Sequence, residues 1–320
     1  MYIDVFNGDA DGICALHQLR LADPRPDARL VTGVKRDIQL LKQLTGTSNA
    51  QITVLDVSLD SNREELVSLL DDGCEILYVD HHFSGDIPDS PNLRAHIDAN
   101  PETCTSLIVN HMLDGEFGAW AVAGAFGDNL HKSAYQAAAA LSLPDSTINK
   151  LKELGELFNY NGYGLSVTDL HFPPQDLYRA ISSFSDPLDF FENSSNLLKL
   201  RNGFQDDMQL AATYKPVRET EIGRIFELPS ETWARRVSGV FSNLKAQEEP
   251  DLAHGLLTRN PDGTIRVNIR APLNNKKGAD ILCRAFPTGG GRAAAAGINS
   301  LSPEQLELFF KTFEEVFGGK

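Results

Sequence analysis

The chain has 320 residues and lacks any uninterrupted apolar run near the roughly 18 residues that a membrane-spanning helix needs. Its first residues, MYIDVFNGDADG, are acidic where a signal peptide would be basic and then apolar. The four cysteines are scattered without C-x-x-C spacing, which is typical of buried reduced thiols and not of a disulfide framework or a zinc knuckle. We therefore expect a cytoplasmic protein with no membrane partner.

The composition also lacks the bias of collagen-like, disordered and coiled-coil chains, since 42% of the residues are hydrophobic and 23% are charged. One domain seldom exceeds about 250 to 300 residues, so this length predicts two domains. We place them at residues 1–187 and 188–320.

The net charge of -15 is distributed unevenly. Residues 1–190 carry 28 acidic residues against 12 Lys and Arg, whereas residues 191–320 carry 16 against 17. Within the second part, residues 266–292 hold six Lys and Arg against Asp280 alone. A solvated surface of uneven charge would explain this pattern, and so would a cation site in the first part and a phosphate-binding segment in the second. Composition does not choose between them.

Short β-rich runs alternate with helical patterns in the first part of the chain. The runs predict buried strands at 2–6, 52–57 and 75–79, with a weaker candidate at 29–33. Helical spacing recurs between them, at 13–21, 38–44 and 62–70. Because parallel strands need a crossover and a helix provides it, this alternation predicts an α/β domain with a parallel sheet covered by helices, mostly helical from about residue 106.

The remaining residues predict a smaller, mixed α/β domain. Helical patterns lie at 195–214, 231–244, 279–286 and 303–317. Strands are predicted at 221–228, 255–258 and 264–270, the last two joined by the turn Pro261-Asp262-Gly263. The glycines at 289–291 predict a loop, with a helix start nearby at which backbone N–H groups could approach an anion.

Acidic and imidazole side chains follow three predicted strands. Asp9 and Asp11 follow the first, Asp56 stands at the end of the next, and Asp80-His81-His82 follows the third. Ligands of open parallel sheets bind beyond the carboxyl ends of the strands, so we expect these groups in one cleft, together with Asp128 from the end of an apolar helical segment. So many carboxylates repel one another unless cations lie among them. Oxygen and imidazole ligands without thiolate suit manganese or magnesium better than zinc.

Each motif has a plainer interpretation when it is taken alone. Asp9 and Asp11 could form a turn, the two histidines could be ordinary surface or capping residues, and the glycines at 289–291 could be a linker. Arg270 could belong to a solvated hairpin edge. The combination favours the metal site.

These residues also carry a family resemblance. Asp9-x-Asp11, Asp56, Asp80-His81-His82 and Gly127-Asp128 resemble, in order and approximate spacing, the four motifs of the DHH phosphoesterase superfamily. Residues 266–270, followed by GGGRAAAAG at 289–297, resemble the C-terminal substrate-binding domain of that family, called DHHA1. The resemblance covers nearly the whole chain and implies metal-assisted phosphoester hydrolysis.

The resemblance implies a role for each matching position. Asp56 would bridge two Mn²⁺ ions, with Mg²⁺ as the alternative metal. Asp11, His81 and Asp128 would complete the site of one ion, and Asp9 would bind the other.

The same resemblance implies the groups that act on the substrate. His82 would contact the scissile phosphate or assist the leaving group, while Asp80 would orient the imidazoles. The residues implied for substrate binding are Arg270, Gly289, Gly290, Gly291 and Arg292.

Two departures from the family pattern bear on these roles. Many members have a His four residues before the first motif Asp, where this chain has Val5. Others have an acidic residue two residues before it, where this chain has Asn7. An amide is a weaker ligand, so the first ion is expected to bind loosely or only with substrate. Arg292 replaces a His that contacts substrate in relatives, and Arg can grip phosphate with a bidentate fork. That change predicts altered substrate preference.

We therefore expect a manganese-dependent phosphoesterase with its active site between two domains, acting on a small phosphodiester or phosphomonoester such as a short single-stranded oligonucleotide or a dinucleotide. A long duplex is not expected as a partner, because duplex binding rests on many phosphate contacts. An inorganic pyrophosphate or polyphosphate hydrolase and a non-catalytic nucleotide-binding regulator are the alternatives. A homodimer is left open.

Overall fold

The structure is a computed structural model that describes residues 1–319. The chain divides into two compact units between Asn202 and Gly203. The domain boundary that we placed between residues 187 and 188 stays a prediction. Within the described residues, no helix is both long enough and apolar enough to cross a bilayer.

Unit 1, residues 1–202, contains a five-stranded sheet in which every neighbouring pair is parallel. Its strands are β1 (Tyr2–Phe6), β2 (Arg29–Thr32), β3 (Gln51–Leu55), β4 (Glu75–Asp80) and β5 (Leu93–Ile97), in the order β2-β1-β3-β4-β5. Its helices are α1 (Ala10–Ala22), α2 (Arg63–Asp71), α3 (Thr105–Met112), α4 (Gly118–Gly127), α5 (His131–Ala140), α6 (Asp145–Gly162), α7 (Pro174–Ile181) and α8 (Pro187–Asn193). Short 3₁₀ helices lie at Leu40–Leu44, Asp60–Asn62 and Val167–Asp169. Helix α9 (Ser195–Ala212) contains the point at which the units divide.

The period of two along the strands separates the two faces of this sheet. Ile3 and Val5 of β1 belong to one hydrophobic core with the alternate residues of β3 and β4 and with leucines of α2 and of the Leu40–Leu44 helix. On the other face, α1 contacts β1 and β3 and packs against α3, α4 and α6. The predicted fold class, a parallel sheet covered by helices, is confirmed.

Unit 2 contains a six-stranded mixed sheet. Its strands are β6 (Arg218–Thr220), β7 (Gly223–Leu228), β8 (Ala253–Arg259), β9 (Ile265–Arg270), β10 (Gly289–Gly291) and β11 (Ala295–Leu301), in the order β10-β11-β9-β8-β7-β6. Among the described residues of unit 2, only β7 and β8 pair in parallel. The helices are α10 (Thr232–Glu248), α11 (Ala279–Arg284) and α12 (Leu306–Phe317), with a 3₁₀ helix at Pro303–Gln305. The predicted smaller, mixed second part is confirmed.

The glycine segment differs from the loop and helix start that we expected. Gly289–Gly291 form the edge strand β10, and the following alanines lead into β11, with Gly290 opposite Gly297. Two backbone hydrogen bonds join Arg292 and Ala295 and close the hairpin between the strands. Gly291 has φ +135°, a conformation open to glycine, and an added Cβ would lie 2.5 Å from Cα of Ala296. The backbone N–H groups here therefore belong to a hairpin and not to a helix N-terminus.

Candidate metal centre

The carboxyl ends of three adjacent strands, β1, β3 and β4, carry the predicted site residues of unit 1. Because parallel strands end at the same edge, their terminal residues converge there. Asp9 follows β1, Asp56 directly follows β3, and Asp80 is the last residue of β4. Asp128, at the C-terminus of α4, shares electrostatic interactions with Asp56 and His81 and so joins the same group.

Asp9 caps helix α1. One of its carboxylate oxygens accepts hydrogen bonds from the backbone N–H of Asp11 at 3.0 Å and of Gly12 at 3.2 Å, which satisfies two donors of the first helical turn. A Cβ at Gly12 would lie 2.3 Å from the carbonyl oxygen of Asn7, so this tight turn requires glycine. The turn fixes the direction in which the second oxygen of Asp9 points.

Asp11 is fully buried and joins two helices. Its two oxygens accept hydrogen bonds from the backbone N–H of Thr105 and of Ser106, each at 2.8 Å, at the N-terminus of α3. A helix N-terminus stabilises a negative charge through its free N–H groups and dipole. This carboxylate keeps lone pairs for a metal ion, but it already has a structural partner.

Asp56 combines a rare backbone conformation with a buried charge. Its φ is +58°, in the left-handed region that Asp tolerates better than most residues, and its N–H donates to the carbonyl of Val79 at 3.1 Å. The residue is 2% exposed. Burial, and then the negative charges of Asp9 and Asp11, raise the pKa of the Asp56 carboxyl well above its ordinary value. A cation beside this group would reverse the effect.

His81 is held with one ring nitrogen directed at acidic groups. Its Nδ1 lies 3.1 Å from the carbonyl oxygen of Thr103, and a carbonyl can only accept, so Nδ1 carries the proton. In the neutral ring Nε2 is then an acceptor, and it lies 3.4 Å from an oxygen of Asp56 and 3.7 Å from one of Asp128. Three acceptors facing one another are the arrangement that a cation stabilises.

His82 has a different partner. Its Nδ1 lies 2.7 Å from Asp80, which is fully buried and whose second oxygen has no hydrogen-bond partner among residues 1–319. Burial lowers the pKa of His82, but the hydrogen bond and charge of Asp80, with the charge of Asp56, outweigh burial and raise it. Asp80 thus orients His82, while Thr103 orients His81.

These donors fit a divalent ion. Within residues 1–319, one ligand atom from each of Asp56, His81 and His82 lies within 4.8 Å of the others. Carboxylate and imidazole without thiolate suit Mn²⁺ and Mg²⁺. The roles proposed for the individual ligands stay predictions, as does the number of ions.

Close packing of two helices places Asp128. Gly127 on α4 and Gly155 on α6 face each other, and a Cβ on Gly155 would lie 2.1 Å from the carbonyl oxygen of Ala123. A Cβ on Gly127 would lie 2.2 Å from the Cβ atom of Ala10. Only glycine allows this approach, which brings the end of α4 beside the start of α1.

One site residue was missed in the sequence analysis. Lys35 follows β2, and its ammonium contacts Asp9 directly, an oxygen of Asp128 at 3.3 Å and Oδ1 of Asn159 at 3.0 Å. Burial disfavours the charge, but Asp9 and Asp128 outweigh it and raise the pKa of Lys35 well above its ordinary value. Polar groups of a site gather beyond the carboxyl ends of parallel strands. Applied to the end of the weakly predicted strand β2, this rule would have identified Lys35.

Solved structures with the same fold were found for the whole chain. A DHH-domain protein from a family of ribosomal proteins superposes with a TM-score of 0.61 at 14% identity, covering 98% of this chain and 85% of that one. Exonuclease RecJ bound to manganese gives 0.59 at 16% identity, covering 100% and 90%. The pGpG-specific phosphodiesterase PggH from Vibrio cholerae gives 0.55 at 13% identity, covering 100% of both chains.

The chain has the DHH fold. No family model and no curated protein sequence matches it. Identities this low establish the DHH fold alone.

The predicted substrate-binding residues lie in unit 2 of the DHH fold. Arg270 ends β9, where its Nε donates to Oδ1 of Asn243 at 2.7 Å and its backbone is in register with Ala295. The backbone N–H of Arg292 donates to the carbonyl of the same Ala295 at 2.9 Å. The hairpin thus brings two arginines that are distant in sequence to either side of one residue, and the Arg292 side chain is exposed.

Proposed function

We propose that this protein is a metal-dependent phosphoesterase that hydrolyses a small phosphorylated substrate, such as a short oligonucleotide or a dinucleotide, with Mn²⁺ as the metal. The observation that carries the proposal is the convergence of Nε2 of His81 with the carboxylates of Asp56 and Asp128. Such a group of acceptors at the carboxyl edge of a parallel sheet has its chemical use in holding a cation.

A divalent cation bound here would supply positive charge for the phosphoryl group in the transition state and would lower the pKa of a water molecule. Asp56, His81 and Asp128 would hold it. Thr103 keeps His81 in the tautomer that presents Nε2. Asp56 has a left-handed backbone and follows β3, the strand between β1 and β4.

His82 is proposed to act on the substrate itself. Asp80 holds Nδ1 and favours the protonated ring, so Nε2 carries a proton that it can donate to a phosphate oxygen or to the leaving oxygen. The side chain is 40% exposed, so substrate can reach it. Asp80, with no exposed surface, acts through this imidazole.

Unit 2 is proposed to bind the phosphate groups of the substrate. Arg270 and Arg292 flank Ala295 within a segment whose Lys and Arg outnumber acidic residues by six to one. Arginine forms bidentate hydrogen bonds with phosphate oxygens. RecJ is named as an exonuclease and PggH as a pGpG-specific phosphodiesterase, which supports a nucleotide substrate for this chain as well.

The test uses the purified chain with Mn²⁺ and three substrates: a linear dinucleotide, a phosphodiester dye ester and inorganic pyrophosphate. We expect hydrolysis of the dinucleotide, lost in Asp56→Asn and His81→Ala. Asn suits the left-handed backbone at position 56, so that variant removes the charge alone. His111→Ala, at an exposed position on α3, is the control and should retain activity.

The other results would point to the alternatives. Cleavage of pyrophosphate alone would indicate an inorganic pyrophosphate or polyphosphate hydrolase. Nucleotide binding without turnover of any substrate would indicate a non-catalytic regulator.

A further inference from the structure

Lys35 lies inside the carboxylate group at the edge of the sheet. Its side chain is 21% exposed, and its ammonium contacts Asp9, Asp128 and Asn159. An ammonium has three N–H donors, and three oxygen acceptors surround this one. Moving the ammonium out would leave the carboxylate of Asp9, which is 3% exposed, without its cation.

The backbone of Lys35 is fixed on both sides. Its N–H donates to the carbonyl of Gly162 at 2.8 Å, and its carbonyl accepts from Nδ2 of Asn7 at 3.2 Å. Asn7 stands at the position where the family resemblance implies an acidic residue in some members. Here the Nδ2 group of Asn7 donates to the backbone of Lys35, which leaves the neutral Oδ1 atom for any other partner.

The two central carboxylates differ in whether they have a cation. Asp9 pairs with Lys35 and caps α1. Asp56 contacts no Lys or Arg among the described residues and instead faces the two imidazoles. One ligand atom from each of Asp56, His81 and His82 lies within 4.8 Å of the others.

We propose that the ammonium of Lys35 takes the place of a second divalent ion, so that the centre binds one ion per chain, beside Asp56 and His81. Asp9 is then the ion-pair partner of Lys35 and not a metal ligand. This inference rests on the proposed function, because it presumes that the centre holds a divalent ion at all.

The experiment counts bound ions without substrate. The full chain is stripped with a chelator and titrated with Mn²⁺, and free Mn²⁺ is measured by electron paramagnetic resonance. We expect one tightly bound ion in the unaltered chain and two in Lys35→Met, which keeps a chain of similar length without the charge. The second ion should also produce the spectrum of an exchange-coupled manganese pair.

Lys132→Met is the matched control, since that lysine is 72% exposed and pairs with Glu102 on the surface. It should bind one ion. Two ions in the unaltered chain would overturn the proposal, as would a single ion in a folded Lys35→Met. No bound ion in the unaltered chain would overturn the proposed function instead, and the two failures are therefore distinguishable.

A second variant covers the case in which Lys35→Met does not fold. Asp9→Asn keeps the cap of α1, because an amide oxygen accepts the same N–H groups. If Asp9 binds no metal, this variant still binds one Mn²⁺, whereas Asp56→Asn loses it. Loss of Mn²⁺ binding in Asp9→Asn equal to that in Asp56→Asn would contradict the proposal.

Discussion

The residues at the sheet edge are arranged at the expense of stability. Asp56 has a left-handed backbone and a buried carboxyl. Burial and the neighbouring acidic groups raise the pKa of this carboxyl. Strained or poorly solvated groups of this kind persist where the surrounding structure holds them, and they cluster at functional sites. The motif residues predicted which side chains would lie together, whereas the backbone conformation of Asp56 depends on how β3 ends beside β4.

His17, away from this site, predicts a pH dependence of stability. Its ring is 1% exposed, Nε2 lies 2.7 Å from the carbonyl oxygen of Phe184, and the ring meets Trp120 edge-on. Burial outweighs that hydrogen bond and lowers the pKa of His17 to about 4. In the unfolded chain His17 has a pKa near the ordinary value of 6.5. Between pH 6.5 and 4, His17 is therefore protonated in the unfolded chain and neutral in the folded chain.

The stability associated with neutral His17 is therefore complete above pH 6.5 and is lost as the pH falls towards 4. At pH 5 the loss should be about 2 kcal/mol. Urea unfolding at pH 7 and pH 5 measures it in the unaltered chain and in His17→Gln, which does not titrate. The acid-induced loss should be smaller by that amount in the variant, and an equal loss in both would contradict the assignment.

At the scale of elements, local pattern predicted β1, β3, β4, β7, β8 and β9 and missed others, such as β5 and β10. In β5, Arg94 and His96 alternate with half-buried apolar residues, which is the pattern of an edge strand and not an apolar run. In β10 there are no side chains at all to form a pattern. The approach of α6 to α4, which places Asn159 and Asp128 around Lys35, depends on glycines whose contacts no local sequence pattern reveals.

A buried ion pair that the sequence analysis did not predict joins α1 to the sheet. Arg20 donates to both oxygens of Asp4 on β1, at 2.9 and 2.5 Å, and to the hydroxyl of Thr53 on β3 at 2.9 Å. The Asp4 side chain is 2% exposed. Removing one partner of such a pair leaves the other charge buried and uncompensated, which costs about 3 to 5 kcal/mol.

Arg20→Met should accordingly lower the free energy of unfolding by about 3 kcal/mol. Urea titration followed by circular dichroism measures the change. Arg179→Met is the control, because Arg179 is 61% exposed and pairs with Asp176 one turn away. That variant should stay within about 0.5 kcal/mol of the unaltered chain. A loss in Arg20→Met no greater than in the control would mean that the pair contributes nothing to the attachment of α1.

At the scale of the whole molecule, the acidic and basic residues are distributed between the two units as the proposed roles of the units require. The acidic groups that would hold a cation belong to unit 1, and the basic residues 266–292 belong to unit 2. A cation site and an anion site on separate units can change independently, since neither supplies the ligands of the other. Arg292, where the family resemblance implies a His, is a change of this kind.

Arg292→Gln should therefore raise KM for a dinucleotide about tenfold, the factor that corresponds to one charge-assisted hydrogen bond of about 1.5 kcal/mol. Mn²⁺ affinity should not change, because Arg292 belongs to the other unit from Asp56 and His81. Arg284→Gln, which removes a charge from a side chain that is 67% exposed on α11, is the control and should leave KM near its original value. Steady-state kinetics and Mn²⁺ titration of both variants separate the two effects. An unchanged KM in Arg292→Gln would show that this arginine does not contact phosphate, and a raised KM together with weakened Mn²⁺ binding would show that the two sites are not independent.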